Sequence, residues 1–136
     1  MKLDVLRLKR VMEDVHKLIY RHRLPIDEFK ILDDKRQDGY LLDDVNWKEF
    51  MVGENWRGIK AHRWFRTKIE IPTNYEGETV VFRLTTGREG QWDACNPQFL
   101  FYVNQTLVQG CDVNHREVII TEDAKAEEVY EIAVLA

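Results

Sequence analysis

The sequence predicts a mainly-β domain, an antiparallel sandwich preceded by one amphipathic α-helix. Apolar residues near the N-terminus recur with helical spacing, whereas later segments alternate with a period of two and are separated by polar turns. Short alternating strands favour an antiparallel sandwich over a parallel sheet with crossover helices. The 136 residues fit one domain, since domains commonly contain about 100–200 residues.

The helix is predicted over residues 3–22. Arg21, His22 and Arg23 suit the negative end of the helix dipole, and Pro25 ends the helix. The apolar side chains follow the i, i+3, i+4, i+7 pattern of one helix face and are Leu8, Val11, Met12, Val15, Leu18 and Ile19.

The strands follow from alternation and turn residues. Residues 26–45 are charged, and we expect a connecting segment there with one short strand at 40–42. In segment 64–71, Phe65 and Ile69 belong to the inner face, and Trp64 and Arg66 belong to the outer face. Asn104-Gln105 is typical of a two-residue hairpin turn. The other strands are predicted at 79–85, 99–103, 107–108, 118–120 and 129–135.

The last strand, 129–135, is strongly apolar and runs to the final residues without a polar stop. Natural domain ends are usually polar and frayed. We therefore expect a helical segment at 1–25 and a sandwich at 26–136 that is truncated at its C-terminal end. A downstream domain would then cover the exposed edge of the last strand.

Composition argues against several partners. The net charge of −4 gives no global attraction for nucleic acid or anionic lipid, and the N-terminal residues contain no signal-peptide or transmembrane stretch. The two cysteines, Cys95 and Cys111, form no CxxC motif and are expected to be free thiols. We expect a cytoplasmic protein that binds neither nucleic acid nor membrane.

No catalytic motif is present. A glycosidase needs two facing carboxylates, and the candidates Glu70, Glu76, Glu89 and Asp93 are not placed together by their spacing. We therefore expect no catalytic residues within this chain.

Three stretches, in this order and spacing, resemble the N-terminal region of glycoside hydrolase family 38 α-mannosidases of the cytosolic and bacterial branch. In that family a Gly-x-x-Trp-Gly segment precedes a Trp-Phe-Arg strand, and a Val-Asn-Gly hairpin precedes an Asp…His-Arg-Glu stretch. The matching stretches are Val52–Gly58 with His62–Arg66, Phe82–Asp93, and Phe99–Gly110 continuing to Asp112–Glu117.

The resemblance implies a galactose-binding-like β-sandwich, a jelly roll, ahead of a catalytic β/α barrel. The barrel would hold a zinc ion, an Asp nucleophile and an acid carboxylate, none of which can be assigned to this chain. We expect no cofactor here, zinc in the missing catalytic domain, and α-mannoside hydrolysis by the full-length protein. The implied partners are that catalytic domain and a second copy of the chain, with weak carbohydrate binding at most.

The sequence departs from the family pattern at Arg57, where Gly is usual, at Gln105, where the hairpin Gly is expected, and at Cys111. The loop 87–97 is the best candidate for contact with substrate or with a neighbouring domain. The candidate contact residues are Arg57, Arg88, Trp92, Asp93 and Asn96.

Each distinctive side chain also has a structural interpretation. For Trp56, Trp64 and Trp92 we favour packing over stacking on sugar. For Arg66 we favour a surface ion pair with Glu70 or Glu54.

Two other functions remain open. One is a free-standing carbohydrate-binding module, and the other is the sugar-binding-like domain of a family 2 glycosidase. The Asp112…His115-Arg116-Glu117 stretch favours the mannosidase over the second of these. The coding sequence downstream of Ala136 would separate the mannosidase domain from the module.

Overall fold

The computed structural model describes residues 2–33, 47–54, 62–86 and 98–136. Within these ranges the chain forms one helix, α1, and two antiparallel sheets, which confirms the mainly-β fold. The elements are α1 (Lys2–Ile19), β1 (Glu28–Asp33), β2 (Lys48–Met51), β3 (Arg63–Glu70), β4 (Val80–Arg83), β5 (Phe99–Val103), β6 (Thr106–Cys111), β7 (Glu117–Thr121) and β8 (Val129–Leu135), with a 3₁₀ turn at Thr73–Tyr75.

The large sheet has the strand order β2-β1-β3-β8-β5-β6, and the small sheet pairs β4 with β7. The last strand therefore lies in the interior of the large sheet, with both edges hydrogen-bonded to β3 and β5. The expectation of an exposed edge on this strand was wrong. Its nearly continuous apolar run is typical of a strand that is covered on both faces.

The main core fills the space between the two sheets. Phe65, Phe101 and Ile132 from the large sheet meet Phe82 and Val118 from the small one. The rings of Phe82 and Phe101 lie 5.2 Å apart between centroids in a tilted arrangement, which aromatic pairs prefer over a face-to-face stack. These contacts join the two sheets into one sandwich.

A second apolar cluster covers the outer face of the large sheet. It contains Leu32, Trp47, Trp64, Tyr102 and Ala133. Alternation assigned Trp64 to this face correctly, and packing was the correct interpretation of its role, because the side chain is 0% exposed. Its ring lies 5.2 Å from that of Tyr102. The large sheet is thus buried on both faces where this cluster lies.

Strands β1 and β2 were not predicted from the sequence. Phe29 and Ile31 pack against the main core, whereas Lys30 pairs with Glu49 on β2 and with Arg66 on β3. The charges on the exposed positions concealed the alternation and made β1 resemble a connecting segment. The short strand expected at 40–42 lies outside the described residues.

Helix α1 ends at Ile19, three residues before the predicted end at residue 22. Arg21 and His22 contact the sandwich instead of continuing the helix. From Val5 onwards, the apolar side chains of the helix are between 52% and 79% exposed, including every member of the predicted stripe. The helix therefore does not bury its apolar face against its own sandwich.

The predicted hairpin at Asn104-Gln105 is confirmed. Both residues have positive φ, at 46° and 66°, as a type I′ turn requires. The Asn104 backbone N–H donates to the carbonyl of Glu131, and its side-chain oxygen accepts the backbone N–H of Glu131, each at 2.9 Å. Asn104 thus fixes the hairpin to β8, while Gln105 adopts a backbone conformation that is unfavourable for a residue with a Cβ atom.

Replacing Gln105 with Gly should stabilise the protein by about 0.5–1 kcal/mol, because glycine adopts positive φ without a steric penalty. Urea unfolding would measure the change. The matched control is Thr106→Gly in the adjoining strand, which should destabilise by a similar amount. A destabilising effect of both substitutions would contradict the assigned turn.

Candidate functional site

The five residues predicted to contact substrate or a neighbouring domain lie outside the described residues, as do Trp56 and Cys95. They are Arg57, Arg88, Trp92, Asp93 and Asn96, and they remain predictions. Within the described residues, the candidate surfaces lie on the large sheet, in the turn between β6 and β7, and at residues 20–23.

The outer face of the large sheet carries the most polar candidate surface. A groove of about 570 Å³ crosses β1, β3 and β8, with Glu49 on β2 and Gln105 at the hairpin. Its charged side chains alternate in sign: Lys30 lies opposite Glu49 and Lys68 lies opposite Glu131 in the strand ladders. Three cations and three carboxylates line the groove, namely Lys30, Arg66, Lys68, Glu28, Glu49 and Glu131. Their formal charges cancel, which suits a polar contact surface better than a site for an ionic ligand.

Arg66 lies at the junction of this groove and the outer apolar cluster. Its guanidinium carbon is 4.1 Å from the ring centroid of Trp47, a cation–π contact. Burial lowers the pKa of Arg66, while the charge of Glu131 acts in the opposite direction. None of the ion pairs among the described residues joins Arg66 to Glu70 or Glu54 as predicted.

Two of the described carboxylates are held by neighbouring groups. The carboxylate of Glu76 accepts the backbone N–H of Ala126 and so joins the segment after the 3₁₀ turn to the loop between β7 and β8, and Glu131 lies 3.8 Å from the ammonium group of Lys68. Glu89 and Asp93 lie outside the described ranges. Among the residues that the structure describes, no three His, Cys, Asp or Glu side chains converge on a metal site.

The turn between β6 and β7 contains the Asp112…His115 pair noted in the sequence. Asp112 accepts the backbone N–H groups of Asn114 and His115 at 2.8 Å, and its oxygen lies 3.0 Å from Nδ1 of His115. These hydrogen bonds, the backbone ones first, lower the pKa of Asp112. The pair is exposed, and its contacts are those of a turn-forming motif.

Sequence reasoning missed the surface at residues 20–23. Arg21 forms a 2.6 Å ion pair with Glu78, and His22 stacks on Tyr75 with centroids 5.7 Å apart. The guanidinium of Arg23 lies over the ring of Tyr20. These cations lie beyond the last helical residue and make tertiary contacts that the dipole interpretation did not include. Alternation of charged and aromatic residues directly before Pro25 was the available signal.

A family model described as "Alpha-mannosidase, jelly roll domain" matches residues 39–135. The chain belongs to this α-mannosidase jelly roll family. The match confirms the resemblance drawn from the three motif stretches and the jelly roll fold. No curated protein matches the chain.

Solved structures give the same fold for this jelly roll chain. The β-glucuronidase of Ruminococcus gnavus matches with a TM-score of 0.55 at 15% identity over 86% of the chain. Its complex with D-glucaro 1,5-lactone matches with a TM-score of 0.54 at 16% identity, also over 86%. In both cases the chain covers 22% of the matched structure, so the likeness concerns one domain of a longer glycosidase.

In this jelly roll domain, no helix among the described residues is long and apolar enough to span a membrane.

Cys111 should be unreactive in the native domain. The thiol is buried and free. Burial first, and the charge of Asp112 second, raise its pKa, so the thiolate fraction at pH 8 is below that of an ordinary cysteine. In a Cys95→Ser background, reaction with Ellman's reagent should be slower by about 100-fold than in the guanidinium-unfolded chain. Equal rates in the two states would contradict this burial.

Proposed function

We propose that the chain is a non-catalytic jelly roll domain of an α-mannosidase and that it supports the catalytic domain of that enzyme. The match of the α-mannosidase jelly roll family over residues 39–135 carries the proposal. Hydrolysis of terminal α-mannosides would belong to the full-length protein, through the two-carboxylate mechanism of such enzymes. This domain would supply stability, subunit contacts or one wall of the substrate cleft.

The surface of the large sheet supports a structural role. Its carboxylates alternate with cations, and Glu131 lies beside Lys68. A surface of balanced charge suits contact with another polar protein surface. The zinc ion expected in the catalytic barrel would take its ligands there, since no three suitable side chains converge among the described residues of this domain.

The alternative of a free-standing carbohydrate-binding module needs open aromatic rings on which a sugar could stack. Trp64 is fully buried, and Trp47 is buried beneath the guanidinium of Arg66. The two described tryptophans therefore offer no such platform. The match to an α-mannosidase family also favours the first proposal over the sugar-binding-like domain of a family 2 glycosidase.

A cytoplasmic location is part of the proposal. The free, buried thiol of Cys111 supports it, since reducing compartments keep cysteines in this state.

The purified 136-residue chain should not hydrolyse an aryl α-mannoside above the rate of a mock purification, because the sequence contains no catalytic motif and the carboxylates of Glu76 and Glu131 are held by a backbone N–H and by Lys68. Release of the aryl alcohol would be measured by absorbance. Turnover that copurifies with the chain would contradict a non-catalytic role.

A calorimetric titration with mannose and short manno-oligosaccharides separates the support domain from the module. We expect no saturation below about 1 mM, which corresponds to roughly 4 kcal/mol of binding free energy. Micromolar binding would favour the module instead.

We further propose that a second copy of the chain covers the apolar face of α1. Val5, Met12 and Ile19 occupy one position of a seven-residue repeat, and Leu8 and Val15 occupy the other. Val5 and Ile19 are β-branched residues at the first position and Leu8 is the leucine at the second, the combination that favours a parallel pair, while Met12 and Val15 depart from it. In such a pair the Asp4 carboxylate of one copy would face Lys9 of the other, five residues further along, so these two flanking charges are opposite in sign.

Light scattering after gel filtration should therefore give the mass of a dimer at high protein concentration. Leu8→Glu with Val15→Glu should shift the mass to that of a monomer, because it places charges in the paired face. Leu6→Glu is the matched control: Leu6 is 66% exposed and lies outside the stripe, so this variant should remain dimeric. A monomeric wild-type chain would contradict the pairing.

A further inference from the structure

An open groove leads from the surface toward the core between the two sheets. It lies between residues 18–27 and the facing parts of β3 and β4, and its volume is about 730 Å³. Sites for small ligands commonly have volumes of about 300–1,000 Å³ and are lined mainly by apolar side chains. The apolar lining that belongs to the main core or packs against it comprises Ile26, Phe29, Ile69, Phe82 and Leu84.

Two arginines stand beside Tyr20 in the lining of this groove. The guanidinium carbon of Arg23 is 5.0 Å from the centroid of the Tyr20 ring, and that of Arg83 is 5.9 Å from the same point. Two positive charges are therefore held close to one ring. Tyr20 positions both groups, because each makes a cation–π contact with it.

Neither charge is neutralised by an ion pair with a carboxylate of the described residues. Arg21, in contrast, is paired with Glu78 at 2.6 Å. Glu117 lies opposite Arg83 in the strand ladder without forming an ion pair with it. Asp27 and Glu70 also line the groove, so the excess of positive charge is local to Tyr20 rather than a property of the whole groove.

We propose that this groove binds an organic carboxylate with an apolar body. The apolar body lies in the opening toward the core, and the carboxylate lies between Arg23 and Arg83. Guanidinium groups bind carboxylates through charge-assisted hydrogen bonds, and an apolar crevice with a few convergent polar groups has the composition of a small-ligand site. No other described surface combines an apolar opening with two unpaired cations.

Titration of the intact chain with decanoate, followed by calorimetry below the micellar concentration, tests the site. We expect saturable binding of one decanoate per chain. The double variant Arg23→Gln, Arg83→Gln should raise the dissociation constant by at least about tenfold, as expected for the loss of a paired charged group. Both side chains are exposed, so the variant should keep the unfolding temperature of the wild type, which is measured in parallel.

Two control variants distinguish binding in the groove from binding at α1 or through net charge. Arg7→Gln with Arg10→Gln removes the same charge from α1 and should change the dissociation constant by less than about twofold. Leu6→Ser removes an exposed apolar side chain of α1 that lies outside the paired face and should also leave binding unchanged. If either control raised the dissociation constant as much as the Arg23→Gln, Arg83→Gln variant does, the proposal would be overturned, because net charge or the helix would then account for the binding.

The length of the ligand tests the apolar half of the site. From hexanoate to octanoate to decanoate, each added pair of methylene groups should tighten binding by roughly tenfold, given the free energy of burying a methylene group. Affinity independent of chain length, or no saturation with decanoate below about 1 mM, would overturn the proposal.

Discussion

The domain depends on the insertion of β8 between β3 and β5. β8 is the last strand in sequence order, yet it lies between β3 and β5. The large sheet is therefore continuous only when β8 is hydrogen-bonded to both of these strands. Ile132 and Val134 then contribute to the core between the sheets, while Ala133 contributes to the outer cluster. One strand thus supports two apolar layers. Pairing of this kind joins residues far apart in sequence, which is costly in chain entropy and slows folding.

The two faces of the large sheet are occupied in different ways. The inner face is buried against the small sheet. The outer face is divided between the tryptophan cluster and a row of charges of alternating sign, and Arg66 joins the two by lying over Trp47. Among the described residues, Trp64 and Trp47 are therefore buried by their neighbours, and the Glu131 carboxylate lies beside Lys68.

Much of this fold follows from local patterns. The strands β3 to β8, the Asn104-Gln105 turn and the packing of Trp64 were predictable, because alternation and turn residues are local properties. The strand β1 was not, since Glu28, Lys30 and Asp33 resemble a solvated loop until β2 and β3 pair with them. The early end of α1 was not predictable either, because it depends on a tertiary contact: the ion pair of Arg21 with Glu78 joins residues 57 positions apart. The arginine pair at Tyr20 likewise depends on a tertiary contact that spacing cannot show.

The attachment of α1 determines what its apolar face can do. Isolated helices of about 12–15 residues or fewer are marginal in water, and this helix of 18 residues exposes its whole apolar stripe. Its C-terminal end is nevertheless held by the contacts of Arg21 and His22 with the sandwich. A tethered helix loses less orientational freedom on binding than a free one, so a second copy would encounter a surface that is partly ordered in advance. The same contacts hold Tyr20 beside the groove, which links the position of the helix to the geometry of Arg23 and Arg83. A partner that reorients α1 would therefore also alter the proposed carboxylate site.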